Sequence, residues 1–109
     1  MEDCLFCKIA EKKINSEIVY ENDHVIAFKD IHPIAPVHVL VIPKKHITSL
    51  NEVDVSNMKC IDECMLAIKE VAKICGVYDD GYRVVSNIGK NGGQVVKHLH
   101  FHVIGGKKL

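Results

Sequence analysis

The sequence predicts a single antiparallel α+β domain, and three observations lead to this prediction. Short apolar runs of strand length follow one another along the chain, with turn residues between them. One long stretch between two of these runs repeats apolar residues at helical spacing. The chain has 109 residues, of which 48% are hydrophobic, which is enough for one core but not for two. We therefore expect one domain over residues 1–109, without internal repeats.

The amino-terminal part predicts a short helix followed by a hairpin. Asp3 can cap a helix over residues 4–12. Four apolar side chains then share one face of that helix: Leu5, Phe6, Ile9 and Ala10. Residues 18–20 and 25–28 are apolar strand candidates, and the polar residues 21–23 between them are typical of a turn.

The middle of the chain predicts a buried strand and the longest helix. The segment 31–36 holds two prolines and is expected to be irregular, whereas residues 38–42 form a β-branched run. The long helix should begin near Asp54 or Ser56 and end at Gly76, which is a good carboxyl-terminal cap. Its apolar residues recur at steps of three and four: Val55, Met58, Ile61, Met65, Ile68, Val71 and Cys75.

The carboxyl-terminal part predicts two further strands, over residues 82–86 and 96–104, separated by a glycine loop at 89–93. Strands in sequence with one long helix inserted between them favour an antiparallel sheet covered by that helix.

Composition excludes several classes of function. Fourteen basic residues balance fourteen acidic ones, so we expect neither a nucleic-acid partner nor a membrane surface, both of which require a basic excess. No apolar run approaches the roughly 20 residues of a membrane span. Residues 1–15 include three acidic residues and lack the apolar stretch of a signal peptide. We therefore expect the protein in the cytoplasm.

The chain has five cysteines, an odd number that cannot be fully paired in disulfides. In a reducing compartment they are thiols or metal ligands. Cys60, Cys64 and Cys75 fall within the predicted long helix, where we expect Cys64 and Cys75 in the core.

Residues 98–104 alternate strictly between histidine and apolar side chains. In a strand, His98, His100 and His102 share one face, about 6.5–7 Å apart per step. Leu99, Phe101 and Val103 then share the other face, which should pack on the long helix. The histidine face must look into a cleft or at solvent.

A row of imidazoles can serve phosphoryl chemistry. Neutral imidazole is a nucleophile toward phosphorus, one neighbour can fix its tautomer, and another can donate a proton. A purely structural role is the alternative for a single histidine, and a zinc site is the alternative for a His-x-His pair. The preceding loop favours phosphate, because polar groups and exposed backbone amides can cradle an anion there. The residues of this loop are Asn87, Gly89, Gly92, Gly93 and Gln94.

Several motifs along the chain are similar to those of one family. They are Phe28-Lys29-Asp30-Ile31, Ala35-Pro36-Val37-His38, Val41-Ile42-Pro43-Lys44-Lys45-His46, Gly81-Tyr82-Arg83-Val84-Val85, Gly92-Gly93-Gln94-Val95-Val96-Lys97 and His98-Leu99-His100-Phe101-His102-Val103-Ile104. With them the sequence resembles the histidine-triad (HIT) superfamily, in its Hint branch of nucleotide-binding hydrolases, over essentially its whole length.

The resemblance implies a five-stranded antiparallel sheet with one long and one short helix, and a homodimer whose sheets join into one continuous sheet. It also implies hydrolysis of adenosine phosphoramidates and related purine nucleotide conjugates. His100 matches the residue that attacks the α-phosphorus to give a nucleotidyl-histidine, from which water releases the nucleoside monophosphate. His98 matches the residue that orients the nucleophile, and His102 the one nearest the phosphate oxygens and the leaving group.

The same resemblance implies a set of nucleotide-binding residues. Asn87 and Gln94 match contacts to ribose and phosphate, in the loop that also holds Gly93 and Val95, and Asp30 matches the acceptor of the ribose hydroxyls. An apolar slot for the base is matched by Phe6, Ile9, Ile14, Phe28 and Ile31. From the residues alone, Asp30 could equally be a turn aspartate, and Phe6, Ile9 and Phe28 could be simple core.

The remaining histidines match nothing catalytic. We expect His24 and His32 at the surface, and His38 as a structural, hydrogen-bonded histidine in a strand. Two departures from the family pattern matter. Val95 stands where close relatives often carry a serine that bonds the phosphate, and the Trp-Pro tail of the eukaryotic relatives, which shapes leaving-group choice, does not follow the triad.

A structural zinc ion is also implied by the resemblance. Some bacterial-type members hold zinc with two cysteines spaced Cys-x-x-Cys, the histidine after the Pro-Lys-Lys run, and the first triad histidine. All four are present, as Cys4, Cys7, His46 and His98. A redox role for the cysteines would need a thioredoxin-like βαβ context that the sequence lacks. No organic cofactor is expected.

Three classes of function remain open from the sequence. The first is the nucleotidyl hydrolase, the second is a non-catalytic nucleotide-binding or scaffolding dimer, and the third is a metal-dependent phosphohydrolase that uses the three triad histidines as ligands.

Overall fold

The computed structural model describes residues 3–109 and contains one antiparallel five-stranded sheet in the order β1-β2-β3-β5-β4. The strands are β1 (Ile18–Glu21), β2 (Val25–Lys29), β3 (Val37–Pro43), β4 (Tyr82–Val85) and β5 (Phe101–Gly105). The helices are α1 (Leu5–Ala10) and α2 (Met58–Ile74), with two short 3₁₀ turns at Leu50–Glu52 and Val55–Asn57. The predicted antiparallel α+β fold with one long and one short helix is confirmed.

The sheet separates two apolar clusters because side chains alternate along its central strands. On one face, β2, β3 and β5 pack against α2 through residues such as Val41, Val103 and Val71, all fully buried. On the other face, Phe6 and Ile9 of α1 pack against Phe28 and its neighbours. Each fully buried Val, Ile or Phe side chain stabilises the fold by about 1.5–3 kcal/mol relative to its exposed state.

The helix ends differ from the sequence prediction. Cys4, and not Asp3, is the N-cap of α1, because its Sγ accepts the backbone N–H of Cys7 at 3.3 Å. Leu5 is 45% exposed and does not share the buried face of Phe6 and Ile9. Asp54 caps the 3₁₀ turn that precedes α2, and the α-helix itself begins only at Met58.

The buried stripe of α2 is also narrower than predicted. Val55, Met58 and Met65 are exposed, so these three positions of the predicted stripe lie outside the core. The buried residues are Cys64, Ala67, Ile68, Val71 and Ala72. Cys75 packs at the edge of this cluster as the C-cap residue, and Gly76 follows with a φ of 76°, the left-handed conformation that ends many helices.

The last strand begins at Phe101 and not at residue 96. Residues 96–100 approach the sheet as irregular chain, with the N–H of Leu99 bonded to the carbonyl oxygen of Ile47 at 2.6 Å. The predicted alternation nevertheless persists through this segment. Leu99, Phe101 and Val103 pack in the α2 cluster, whereas the rings of His98 and His100 pack against Phe6 of α1 on the other face.

Neither helix within residues 3–109 is both long and apolar enough to cross a membrane.

Candidate active site

The backbone fixes the tautomer of His100. Its Nδ1 lies 2.7 Å from the carbonyl oxygen of His98, and a carbonyl oxygen only accepts hydrogen bonds. Nδ1 therefore carries the proton, and Nε2 of the neutral ring carries the lone pair. The ring of Phe6 stands perpendicular to that of His100, with centroids 5.1 Å apart, and limits how the imidazole can turn.

A backbone carbonyl oxygen also fixes the tautomer of His98, but here the protonated nitrogen is Nε2. Its Nε2 donates to the carbonyl oxygen of Pro43 at 2.8 Å, so its Nδ1 presents a lone pair toward Cys4 and Cys7. The side chain is fully buried. Burial lowers the pKa of His98 to about 4, because the cation would lose its hydration. In the metal-free protein the ring is neutral at pH 7.

His102 lies half-buried beside His100, with ring centroids 5.1 Å apart. Its Nδ1 is 2.9 Å from Nε2 of His38, a buried histidine on β3. Burial lowers the pKa of His102, and the neighbouring rings of His100 and His38 lower it further by charge repulsion. His38 was predicted as a structural, hydrogen-bonded histidine, and its ring is indeed buried and bonded.

A cavity of about 550 Å³ opens in front of His100 and His102. Nine of the ten residues expected to contact nucleotide line it, namely Phe6, Ile9, Ile14, Phe28, Asp30, Ile31, Asn87, Gly93 and Val95. One end is an apolar slot between α1 and the sheet, and His100 and His102 with the glycine loop form the other. The volume is in the range of small-ligand sites.

Sequence reasoning missed several further residues of this cavity: Leu5, Asn15, Ser16, Lys29, His32, Leu40 and Val96. Leu40 had a usable signal, because it alternates with the core residues of β3 and so lies on the face of the histidines. His32 is exposed as predicted, but its side chain also borders the cavity mouth.

Gln94 does not line the cavity. Its amide instead holds the loop, donating to the carbonyl oxygens of Thr48 at 2.7 Å and Val96 at 3.1 Å, and accepting from the N–H of Gly89 at 2.9 Å. Asn87 lines the cavity and also donates to the carbonyl oxygen of Gly92 at 2.8 Å.

Two loop positions require glycine. A Cβ on Gly92 would collide with the carbonyl oxygen of Ile88, and Gly93 has a φ of 80°, a conformation that is strained for other residues. These glycines let the backbone turn tightly at the end of the cavity beside His100.

Asp30 follows β2 and borders the cavity. One carboxylate oxygen accepts a hydrogen bond from the N–H of His32 at 2.7 Å, as an aspartate in a turn does. The other oxygen lies 3.4 Å from Nε2 of His38. The carboxylate thus joins a turn, the cavity wall and the buried histidine.

A cysteine and histidine cluster lies behind the triad. Sγ of Cys4 is 3.3 Å from Nδ1 of His98, and Sγ of Cys7 is 3.3 Å from Nδ1 of His46 and 3.5 Å from Nδ1 of His98. All four ligand atoms lie within 4.8 Å of one another. Zn–S bonds of about 2.3 Å and Zn–N bonds of about 2.0–2.1 Å need such separations in a tetrahedron. The residues therefore fit zinc.

The three triad histidines do not form a metal site with one another. The ring of His98 points toward the cysteines, and His100 uses Nδ1 on a carbonyl oxygen. Within residues 3–109, two groups of side chains have ligand atoms close enough to share a metal ion: the cysteine and histidine cluster, and Asp30 with His38 and His102. Neither group contains all three triad histidines. The geometry therefore disfavours the metal-dependent hydrolase considered from the sequence.

Comparison with known proteins decides the family, because a model described as HIT domain matches residues 11–109. The chain belongs to the HIT family. Protein HitA of Neisseria gonorrhoeae is 45% identical over 105 residues, which is 96% of this chain and 97% of that protein. The purine nucleoside phosphoramidase of Escherichia coli K12 is 39% identical over 108 residues, 99% of this chain and 91% of the enzyme.

Solved HIT structures share the fold over the whole chain. A HIT family hydrolase from Clostridium thermocellum superimposes with a TM-score of 0.98 at 45% identity, covering 100% of this chain and 95% of that one. A histidine triad protein from Clostridium difficile gives 0.96 at 48% identity, with coverage of 100% and 95%. The chain is accordingly a HIT-family hydrolase.

Proposed function

We propose that this HIT hydrolase cleaves purine nucleoside 5′-phosphoramidates and related nucleotide conjugates, with adenosine as the nucleoside, through a nucleotidyl-histidine intermediate on His100. One observation carries the proposal. In the neutral ring, Nε2 of His100 bears the lone pair, since Nδ1 is bonded to the carbonyl oxygen of His98, and the ring lines a cavity that combines an apolar slot with a polar loop. The relative named purine nucleoside phosphoramidase supports the substrate class.

The cavity provides separate surroundings for the parts of a nucleotide. Phe6 and Phe28 pack edge to face, with centroids 5.4 Å apart, and form an apolar wall suited to a planar base. Asp30 lies at the same cavity and would accept the ribose hydroxyls. The glycine loop would place backbone N–H groups around the phosphate, as anion-binding loops do.

The reaction would proceed in two steps. Nε2 of His100 forms a bond to the α-phosphorus as the phosphorus–nitrogen bond breaks and the leaving amine takes up a proton from solvent. Water then attacks the phosphorus, the bond to Nε2 breaks, and the nucleoside monophosphate leaves. The proton that water releases balances the proton taken up by the amine. His102 would hydrogen-bond the phosphate oxygens during both steps.

The cysteine and histidine cluster would hold a structural zinc ion through Cys4, Cys7, His46 and His98. Two thiolates and two imidazoles complete a tetrahedral shell, so the metal would contribute stability and no open coordination position. Burial and the nearby Cys4 thiol raise the pKa of Cys7, so without metal this group is a neutral thiol at pH 7. The ion would tie α1 to the segment after β3 and to the triad.

The HIT chain would act as a homodimer joined through α2 and the β4 edge of the sheet. The outer side of α2 exposes Met65, Leu66 and Ile74, at 45%, 57% and 58%, and β4 exposes Val84 at 43%. β4 is at an edge of the sheet, with one side unpaired in the protomer. A small domain benefits from covering such a surface with a second copy.

Turnover of adenosine 5′-phosphoramidate, measured with and without a chelator, tests the proposed reaction. Release of adenosine monophosphate that persists with chelator, together with nucleotide trapped on His100 by an alkaline, denaturing quench, is the expected result. Activity that disappears on chelation from a still-folded protein, or nucleotide trapped on another residue, would contradict the mechanism.

A further inference from the structure

We propose that His38 is a positioning residue that fixes the tautomer of His102, so that His102 presents a protonated Nε2 to the phosphate. The inference deepens the proposed function, on which its catalytic meaning rests. It assigns His38 a task beyond the structural one that the sequence predicted.

The assignment begins at a backbone amide. The N–H of Ile34 lies 3.2 Å from Nδ1 of His38. A backbone amide can only donate, so Nδ1 of His38 is the acceptor and carries no proton. In the neutral ring the proton must then be on Nε2.

The same reasoning passes from His38 to His102. Nε2 of His38 is 2.9 Å from Nδ1 of His102, a good hydrogen-bond distance. Because Nε2 of His38 carries the proton, it donates the hydrogen bond and Nδ1 of His102 accepts that bond. The proton of the neutral His102 ring therefore lies on its own Nε2. Asp30 lies farther from Nε2 of His38, at 3.4 Å, and its second oxygen is occupied by the N–H of His32.

The arrangement is rigid because it is built across two central strands. His38 pairs with Ile104 and Leu40 pairs with His102 in the register of β3 and β5, so the two histidines are diagonal neighbours on one face. His38 is only 7% exposed, and water has little access to replace its bond to His102.

The two active-site histidines therefore have opposite tautomers. A carbonyl oxygen keeps the proton of His100 on Nδ1 and frees Nε2 as the nucleophile. An imidazole keeps the proton of His102 on Nε2 as a hydrogen-bond donor. No proton leaves His102 in this scheme, because the donor stabilises charge on the phosphate oxygens without transferring a proton.

Imidazole nitrogen NMR on the intact protein tests the assignment directly and needs no substrate. Long-range proton–nitrogen correlation at neutral pH should show His102 with a protonated Nε2 and an unprotonated Nδ1. A protonated Nδ1 on His102, or a metal ion coordinated by both rings, would overturn the proposal even if the enzyme is active. Failure of the proposed function would instead appear as absent turnover with the tautomer as assigned.

Variants at His38 add a functional readout. His38→Phe keeps an aromatic ring but removes the donor, so His102 should become a mixture of tautomers and kcat should fall at least about tenfold. His38→Gln places an amide donor at similar reach and should restore both the tautomer and most of kcat. His24→Phe, which removes an exposed imidazole that does not line the cavity, is the matched control. Unchanged tautomer and kcat in His38→Phe would overturn the assignment.

Discussion

The ring of His100 is held by the carbonyl oxygen of His98, two residues before it, through a 2.7 Å hydrogen bond to Nδ1. A backbone group, and not another side chain, thus keeps the proton on Nδ1 and leaves Nε2 of the neutral ring unprotonated. Because the bond is within one short segment, it does not depend on a distant partner being correctly placed.

His100→Ala should lower kcat by at least about 1,000-fold while leaving nucleotide binding largely intact, since it removes the nucleophile and none of the other cavity walls. Turnover of adenosine phosphoramidate and calorimetric binding of adenosine monophosphate measure the two effects separately. His24→Ala is the control for loss of an imidazole. Near-normal hydrolysis in His100→Ala would show that His100 is not the nucleophile.

Val95→Ser should raise kcat/KM by roughly 10- to 100-fold. A charge-assisted hydrogen bond from a hydroxyl to the phosphate contributes about 1.5–3 kcal/mol. The Val95 side chain borders the cavity and is 89% exposed, so its replacement costs little packing. Val95→Ala separates the loss of the valine from the gain of the hydroxyl and should show no such rise. No gain with serine would mean that the loop presents this position differently.

Cys4→Ser combined with Cys7→Ser should abolish zinc binding and lower the Tm by at least about 5 °C, with only a modest fall in kcat at low temperature. Elemental analysis and calorimetric melting provide the two measurements. Cys60→Ser is the control, because Cys60 lies on α2, donates to the carbonyl oxygen of Asn57 and does not belong to the cysteine and histidine cluster.

Wild-type protein purified without chelator and free of zinc would reject the metal site. A folded, zinc-free double mutant without any chemistry would make the metal catalytic and contradict its structural role.

The stability of the metal-free protein should fall as the pH decreases from 6.5 to 5. The folded state lowers the pKa of His98 to about 4 and also lowers that of His102, whereas an unfolded histidine titrates near 6.5. The unfolded chain therefore binds more protons in this window, and the free energy of unfolding should decrease by about 1.5 kcal/mol through His98, with a further decrease through His102. Urea unfolding at several pH values, with chelator present, measures the slope.

His32→Gln is the control, because it removes an exposed imidazole. A free energy of unfolding that is constant between pH 6.5 and 5 would show that the buried histidines are already protonated or readily hydrated in the folded state.

Leu66→Glu should convert the proposed dimer into monomers, because it places a carboxylate in the apolar outer surface of α2. Sedimentation equilibrium at micromolar concentration gives the mass. Val55→Glu is the matched control, since Val55 is 94% exposed on the turn before that helix. A folded wild-type monomer at the same concentration would contradict dimerisation.

The sequence was sufficient for the order and type of the elements, because apolar alternation identifies strands and the three- and four-residue repeat identifies α2. It was insufficient for the start of β5. The strand-like alternation continues from residue 98, but the ladder ends at the pair Val41 and Phe101. Two residues further along β3, Pro43 has no N–H to donate to a neighbouring strand. Its carbonyl oxygen accepts a hydrogen bond from Nε2 of His98.

The site was predictable where residues are close in the sequence and less so where they are not. The triad and its loop form local motifs, and most of the expected nucleotide contacts line one cavity. The contact between His38 and His102 joins positions 64 residues apart and leaves no local pattern. The role of the Gln94 amide in holding its own loop also depends on Thr48, a partner that only the folded chain brings near.

The segment that carries His100, the proposed nucleophile, lies outside the ladder, and this has a consequence for how the enzyme would lose activity. Its backbone bond from Leu99 to Ile47 can open without breaking the strand pairs of β3 and β5. Local opening of this kind costs less free energy than global unfolding. The protein can thus lose its catalytic geometry while circular dichroism still reports an intact sheet. Hydrogen–deuterium exchange at the amide of Leu99 would detect that loss first.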